Sequence, residues 1–505
     1  MALTPCICPM QQVGECLYLY AREAFHKIDK KKEMITTEER QENQHNARVI
    51  IVGGGITGLS LAAVLAEREI PFVLLEKEKR LGGQIHTICD KGYTYELGPN
   101  TGSISTPEVT ELFNFVAPEA VLEVASNDAK RRLIWKGRSF HALPSGLWSG
   151  ITTPLFTFYD KLRLLGEPFR KRGTDPLESV GALAERRLGK SFVDYAVDPF
   201  IGGIYAGNPY RIVTQYALPK LYRLEQDYGS FIGGALRKAL KHQAKDPRVT
   251  KEVFSAEGGL SRLIEALENK LKTKGSVITG AEIVHTDYAP STGWSVTYTD
   301  QHEEKHTITA DHYITTVRSD LLHSVLPNEI APLLAPIEQL RYAPITEVVI
   351  GFDHLPEIRT KAFGGLVPSC ENCSILGILF TAEMFRNRVP YEDSLLFNIF
   401  MGGDEKPLNP DEYSDEELLC IAERELRRML SIPANRNASL QHVARYRKAI
   451  PQYDETSPAR LERIREIEQA YPGLVLAGGI RDGIGLAARI AQGVSIGKEI
   501  AAQIK

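Results

Sequence analysis

Gly53, Gly55 and Gly58 stand in the spacing G-x-G-x-x-G, inside the run Gly53-Gly54-Gly55-Ile56-Thr57-Gly58. Each answers a separate steric demand. Gly53 permits a tight turn, Gly55 lets a phosphate group reach the backbone, and Gly58 lets a helix pack close to a strand. The chemistry on offer is the holding of a dinucleotide pyrophosphate by free N–H groups at a helix N-terminus. Alone the spacing is a weak signal, since glycines also make ordinary strand-to-helix turns. Here it is answered by Glu76, which lies 76 − 58 = 18 residues past the last glycine. An acidic side chain at that distance can accept hydrogen bonds from adenosine ribose hydroxyls.

Cys370 and Cys373 form a C-x-x-C, a spacing that suits metal or redox chemistry. The next cysteines in the chain are Cys420 and Cys89, so no second C-x-x-C completes a four-ligand zinc set. A loop between two strands is the reading preferred, and no metal site is expected. Seven cysteines, an odd number, do not make a disulfide framework and fit a reducing compartment. No Ser/His/Asp or Cys/His set stands out.

The elements that must position these residues begin at Arg48. Val49-Ile50-Ile51-Val52 is apolar throughout, as in a parallel sheet covered on both faces. The glycine turn, a helix from Gly58 to about Glu69 and a second strand over Phe72–Leu75 complete a βαβ unit. From Glu108 to about Leu240 the chain reads mostly helical, with repeated proline breaks. Strands are predicted at Gly293–Thr299, Glu347–Phe352 and Ile375–Phe380, and helices at Ser414–Leu430 and Ser457–Ala470. A buried strand, Leu474–Ala477, precedes a glycine loop and a closing helix.

Composition bounds the function. The 505 residues suit two or three domains, and 43% apolar with 25% charged residues is ordinary for a globular protein. A net charge of −4 offers no field for nucleic acid, which is excluded as a partner. No apolar run approaches the ~18 residues of a spanning helix. Residues 1–46 hold Cys6, Cys8 and Cys16 and then a polar run from Lys27 to Asn46, without the order of a signal peptide. They are expected to be a disordered extension, and a true start near Met34 accounts for them equally well.

Arg80-Leu81-Gly82-Gly83-Gln84-Ile85-His86-Thr87 resembles the second fingerprint of the flavin amine oxidase superfamily. Glu257-Gly258-Gly259-Leu260 resembles its central segment, and Leu476-Ala477-Gly478-Gly479 with Asp482-Gly483-Ile484-Gly485-Leu486 its C-terminal flavin motif. The resemblance implies FAD. The expected cofactor contacts are Gly53, Gly55, Gly58, Glu76, Lys77, Arg80, Gly82, Gly83, Gly98, Val284, Gly478, Gly485 and Leu486. The fold class expected is α/β, a Rossmann-like parallel sheet with a mixed-sheet substrate domain and an inserted helical domain. FAD binding falls to 47–110, 250–290 and 445–505, the helical domain to 111–249 and substrate binding to 291–444.

The middle of the chain narrows the family. Leu143-Pro144-Ser145, Thr152-Thr153-Pro154-Leu155, Asp198-Pro199-Phe200 through Asn208-Pro209, and Phe363-Gly364-Gly365-Leu366-Val367-Pro368 are similar to oxygen-dependent protoporphyrinogen oxidases. That resemblance implies oxidation of protoporphyrinogen IX to protoporphyrin IX in haem biosynthesis, with six electrons passing to dioxygen and hydrogen peroxide formed. Coproporphyrinogen III oxidation to coproporphyrin III is the alternative, since such members share the motifs. Polyamine oxidase, carotenoid desaturase and a non-catalytic flavoprotein are more distant readings. The substrate pocket is expected at Asn100, Gly203, Tyr205 and Phe363, with Asn100 where some members carry a propionate-binding arginine. No general base is expected, because the substrate's pyrrole nitrogens can lose protons themselves.

Expected partners are the porphyrinogen, dioxygen and a membrane surface, with a homodimer left open. Trp148, Leu155, Phe156, Phe158 and Tyr159 could dip into a membrane interface or equally be core or pocket wall. The location expected is cytoplasmic, peripheral on the membrane.

Overall fold

Five strands build the sheet on which the glycine motif sits. They are β1 (Val49–Val52), β2 (Phe72–Glu76), β3 (Ser276–Thr279), β4 (His312–Thr315) and β5 (Leu474–Leu476), in the spatial order β3-β2-β1-β4-β5. Every pairing is parallel. All four side chains of β1 are buried, as a doubly covered central strand requires. The protein is seen here as a computed structural model that describes residues 47–144, 146–240, 246–358, 361–404 and 408–504. The expectation for residues 1–46 lies outside the described residues, as does Ser145.

The two ends of the chain meet across one helix pair. Helix α1 (Ile56–Glu67) is buried along nearly its whole length. Against it lies α3 (Leu486–Gln503), with α2 (Ser261–Lys272) packed nearby. The approach of α3 requires glycine: a Cβ on Gly493 would sit 2.2 Å from the Thr57 carbonyl oxygen, and one on Gly497 would sit 2.9 Å from Val64. Backbone therefore packs on backbone, and the C-terminal loop is carried to the glycine turn.

A mixed seven-stranded sheet forms the second body. Its order is Leu440–Pro451, Tyr342–Phe352, Leu395–Gly402, Gly377–Phe380, Gly364–Leu366, Arg132–Lys136, Ser139–Ala142. Only the Gly364–Leu366 and Arg132–Lys136 pair runs parallel. Helix Asp415–Leu430 starts at a capping box of Ser414 and Glu417 and seats Leu418, Ala422 and Leu426 on the sheet. Helices between Leu147 and Leu240 cover the edge where Arg132–Lys136 lies. Their interior holds Arg187 and Glu167, both without solvent exposure, in a 2.7 Å ion pair.

Three boundaries differ from the sequence reading. Leu122–Val124, Arg132–Lys136 and Ser139–Ala142 are strands inside the segment 111–249 expected to be helical. Leu133 and Trp135 are buried in the core of the mixed sheet and Ile134 against the helices, which outweighs local preference. His312–Thr315, assigned by sequence to the substrate-binding segment 291–444, pairs with β1 instead. The antiparallel sheet Glu282–Ala289, Gly293–Thr299, Lys305–Ala310 also belongs with the parallel sheet, since buried Trp294 stacks on Tyr313 at 5.0 Å.

Candidate functional site

The three glycines of the turn are held to three different duties. Gly53 has φ +107°, and a Cβ there would strike the Thr316 hydroxyl at 2.4 Å. Gly58 has no room either, since its Cβ would lie 2.1 Å from the Gly53 carbonyl oxygen. Gly55 is the reverse case: no heavy atom lies within 4 Å of the position a Cβ would take. The free space is at the N-cap of α1, where no side chain caps the helix. First-turn N–H groups there remain available to an outside acceptor, with the positive end of the helix dipole behind them.

A second glycine loop closes on the first. Gly82 donates its N–H to the Gly54 carbonyl at 2.8 Å and bridges Gly55. A Cβ on Gly83 would lie 3.5 Å from the Gly55 Cα. Arg80 holds this loop in shape, donating to the carbonyls of Leu81, Ile85 and Gly83 at 3.2, 2.9 and 2.6 Å. Its guanidinium is therefore occupied by backbone.

Glu76 ends β2 half-buried and accepts from the Gly54 and Glu78 N–H groups at 2.6 and 2.9 Å. Those bonds aim the carboxylate across the glycine turn. Lys77 is exposed and paired with Glu282 at 2.9 Å, a surface ion pair that raises the lysine pKa by hydrogen bond and charge. Val284 occupies the bulge between Ile283 and His285 and is half-exposed, 51%. Glu76, Lys77 and Val284 thus cluster around β2 and the strand that follows β3. The sequence placed them 208 residues apart, by 284 − 76.

The loop after Tyr93–Leu97 is built around a carboxylate that sequence reasoning missed. Glu347 is wholly buried in strand Tyr342–Phe352 and accepts three N–H bonds. Gly98 N donates at 2.9 Å, Asn100 Nδ2 at 2.6 Å and Asn398 Nδ2 at 2.8 Å. Burial pushes its pKa up to about 7, opposed by the hydrogen bonds. Glu96, also buried, is raised by desolvation and accepts from Thr87 and the Leu260 N–H. The available signal was a glutamate directly before the apolar run Val348-Val349-Ile350 of a strand. Asn100, expected at the substrate pocket, is part of this network. Its amide N–H groups go to Glu347 and the Gly98 carbonyl, so it supports the loop and has no N–H left for a substrate carboxylate.

The C-terminal loop supplies the other half of the groove. Gly478 has φ +89° and donates its N–H to Gln492 at 2.8 Å. Gly485 is the N-cap of α3, carries no side-chain cap, and has open space where a Cβ would be. Leu486 is buried behind it. Two uncapped helix starts and two open glycines form a cradle that suits an extended dinucleotide, and FAD fits the residues present.

Beside the groove lies an apolar cavity of about 240 Å³ between the helical segment and the mixed sheet. Ile134 and Leu366 line it from the sheet, and Leu183, Phe200 and Phe231 from the helices. Arg132 is the one charged residue in its wall. Helix Asp198–Tyr205 links cavity to groove over about 12 Å. Phe200 faces the cavity, while Tyr205 packs edge-on against Tyr453, whose hydroxyl donates to the Gly479 carbonyl at 3.0 Å. Tyr205 itself, expected at the substrate pocket, is buried and donates its hydroxyl to the Ala217 carbonyl at 2.8 Å. Gly203, exposed, and Phe363, half-buried, each touch a residue of the wall. A Cβ on Gly203 would meet Leu366 at 2.5 Å, and the Phe363 ring lies 5.5 Å from the Arg132 guanidinium.

The aromatic segment divides. Leu155 and Phe156 are core, while Trp148, Phe158 and Tyr159 are more than 70% exposed. Cys370 and Cys373 lie on the loop that docks the mixed sheet to the helices, and burial pushes both thiols up. Asp300, Glu304 and His306 are the metal-compatible group among the described residues, and turn hydrogen bonds already join them. Among the same residues no helix is long and apolar enough to cross a membrane.

Comparison with known proteins agrees with this geometry. A family described as flavin containing amine oxidoreductase matches residues 56–504. Protoporphyrinogen oxidase 2, chloroplastic/mitochondrial, of Arabidopsis thaliana is 26% identical over 475 residues, 88% of this chain and 92% of that protein. Coproporphyrinogen III oxidase of Bacillus subtilis is 26% identical over 471 residues, 88% and 96% of the two chains. A solved structure from Exiguobacterium sp. 255-15 shares the fold at a TM-score of 0.72 and 24% identity, covering 91% of this chain and 100% of that one.

Proposed function

The chain belongs to the flavin containing amine oxidoreductase family, and we propose that it oxidises protoporphyrinogen IX to protoporphyrin IX with dioxygen as acceptor. It is an FAD-dependent oxidoreductase. The observation that carries the substrate is the cavity: apolar but for one arginine, and one short helix away from the C-terminal glycine loop. A hydrophobic macrocycle suits such a wall. The name of the Arabidopsis relative, matched over most of both chains, supports the same substrate class.

Bound FAD supplies the hydride acceptor. The chain's own residues hold and orient. Gly55 leaves room for the pyrophosphate, and the α1 and α3 N-termini offer N–H groups to acceptors. Glu76, aimed across the turn by its backbone bond, would accept from the ribose hydroxyls. Lys77, Arg80, Gly82, Gly83, Gly98, Val284, Gly478 and Leu486 shape or flank the same groove. Glu347 pins Gly98 and Asn100, and the apolar wall excludes water from the reacting macrocycle.

Coproporphyrinogen III is the second reading, favoured by the Bacillus subtilis relative and by the neutral Asn100. Anaerobic mixing of the FAD-loaded protein with protoporphyrinogen IX, coproporphyrinogen III and spermine separates the cases. Flavin bleaching by protoporphyrinogen IX is expected for the first, with porphyrin fluorescence only once dioxygen is admitted to take the remaining electrons, and bleaching by spermine alone would overturn the proposal. The exposed Trp148, Phe158, Tyr159 and Phe169 form the face that rests on a membrane interface in this reading. Co-sedimentation with anionic vesicles, lost in Trp148→Ser/Phe158→Ser/Phe169→Ser, is the expected result.

A further inference from the structure

We propose that Arg132 recognises a carboxylate side arm of the substrate at the edge of the apolar cavity, an assignment that rests on the porphyrinogen reading above. A macrocycle bearing propionates presents two unlike surfaces, an apolar ring and acidic arms. The ring can leave water for an apolar wall at no electrostatic cost, but an arm that follows it must find a cation. Arg132 is the one charged residue in that wall.

Its position on the strand is suited to this. Arg132 and Ile134 are two residues apart in Arg132–Lys136, so they share a face, and both line the cavity. Ile134 is buried while Arg132 is exposed. The pair therefore runs from the dry interior to the solvent edge, as an apolar ring with an acidic arm would. Across the parallel ladder Arg132 aligns with Gly364 and Ile134 with Leu366, another cavity residue.

The guanidinium is also held and unspent. The Phe363 ring lies 5.5 Å from it, which restrains the side chain through its apolar face. Among the described residues no carboxylate pairs with Arg132. Its neighbours in the helical segment differ, since Arg186 and Arg187 are bound to Glu178, Glu225 and Glu167. Asn100, the residue otherwise placed for the task, has its amide N–H groups committed to Glu347 and Gly98. A planar guanidinium can meet a carboxylate with two parallel bonds, which a lysine cannot reproduce.

The test uses the FAD-loaded protein, with protoporphyrin IX and its dimethyl ester as binding probes followed by fluorescence. Wild type is expected to bind the diacid more tightly than the ester. Arg132→Gln is expected to weaken the diacid about 10- to 100-fold, the worth of one charge-assisted contact, and to leave the ester unchanged. Arg132→Lys should recover part of the loss, and Arg131→Gln, an exposed neighbour outside the cavity wall, none of it should suffer. An unchanged diacid affinity in Arg132→Gln, an equal loss for diacid and ester, or no diacid binding by wild type overturns the assignment. Turnover separates this claim from the one beneath it. Arg132-dependent diacid binding without oxidation of any porphyrinogen sinks the proposed reaction and leaves the carboxylate site standing. Oxidation with a KM indifferent to Arg132→Gln does the reverse.

Discussion

Gly55→Val should remove the cofactor and leave the fold. Gly55 sits at φ −72° and ψ 173°, extended backbone that valine adopts without strain. No heavy atom stands within 4 Å of its Cβ position, so the apoprotein should melt within about 0.5 kcal/mol of wild type. The same space is where a pyrophosphate would meet the α1 N-terminus. Losing two charge-assisted N–H bonds at about 1.5–3 kcal/mol each costs about 3–6 kcal/mol, a rise in Kd of roughly 10²–10⁴. At FAD concentrations of about 100 times the wild-type Kd, wild type gains about 2.7 kcal/mol of stability and the variant at most about 0.4 kcal/mol. Melting curves with and without FAD, together with titration of flavin fluorescence, read both quantities. Cofactor released from wild type should run as FAD, since Glu76 stands ready for a ribose that FMN lacks. A Gly55→Val protein that binds FAD within tenfold of wild type, or whose apo form melts far below it, refutes the reasoning.

Gly58→Ala should do the opposite: its Cβ would lie 2.1 Å from the Gly53 carbonyl, so the apoprotein itself should lose about 1–3 kcal/mol. Glu347→Gln should change the pH dependence of stability. The folded pKa, about 7, is raised above the ordinary 4.5, so this group's contribution is full below 4.5 and lost as pH rises through 7, about 3 kcal/mol in all. Glutamine cannot titrate, so the wild type's advantage in urea midpoint should shrink between pH 5 and 8; a gap independent of pH counts against it. Cys370→Ser/Cys373→Ser should keep full turnover and gain or lose no metal, because burial raises both thiols and keeps them protonated.

Where local sequence and tertiary demand agree, the fold was readable from residues alone. Gly293–Thr299 and Ser457–Ala470 are predicted with the bounds observed, and β1 with its four buried side chains. The glycine turn and Glu76 were legible because each duty there excludes other residue types. What escaped depended on partners far along the chain. His312–Thr315 is only four residues long, and nothing in it announces that it completes the parallel sheet beside β1. Arg132–Lys136 carries charges at both ends and sits among helices, yet its centre is claimed by Gly364–Leu366, more than 200 residues away. The bond from Asn100 to Glu347 was not legible in the sequence, because Glu347 lies 247 residues distant.

That last pairing bears on how the site is kept in shape. The loop Gly98–Asn100 belongs to the cofactor body, and Glu347 and Asn398 belong to neighbouring strands of the mixed sheet. One buried carboxylate therefore joins the two bodies through the Gly98 and Asn100 N–H bonds, while Asn398 holds it within the mixed sheet. Removing it would strand three buried donors, each costing about 1–3 kcal/mol, whereas its own burial costs about 3 kcal/mol once ionised. Three stranded donors come to about 3–9 kcal/mol against about 3 kcal/mol for the ionised carboxylate, so losing it costs more than keeping it, and its bonds also set the register of the loop. A hydrophobic residue could fill the space but could not tell Gly98 where to stand. The Tyr205–Tyr453 contact ties the helical segment to the C-terminal glycine loop, where the Tyr453 hydroxyl meets the carbonyls of Gly479 and Gly483. Two polar fastenings, one on each side of the groove, hold the cavity wall and the glycine loops in one relation, which hydride transfer over a few ångströms requires.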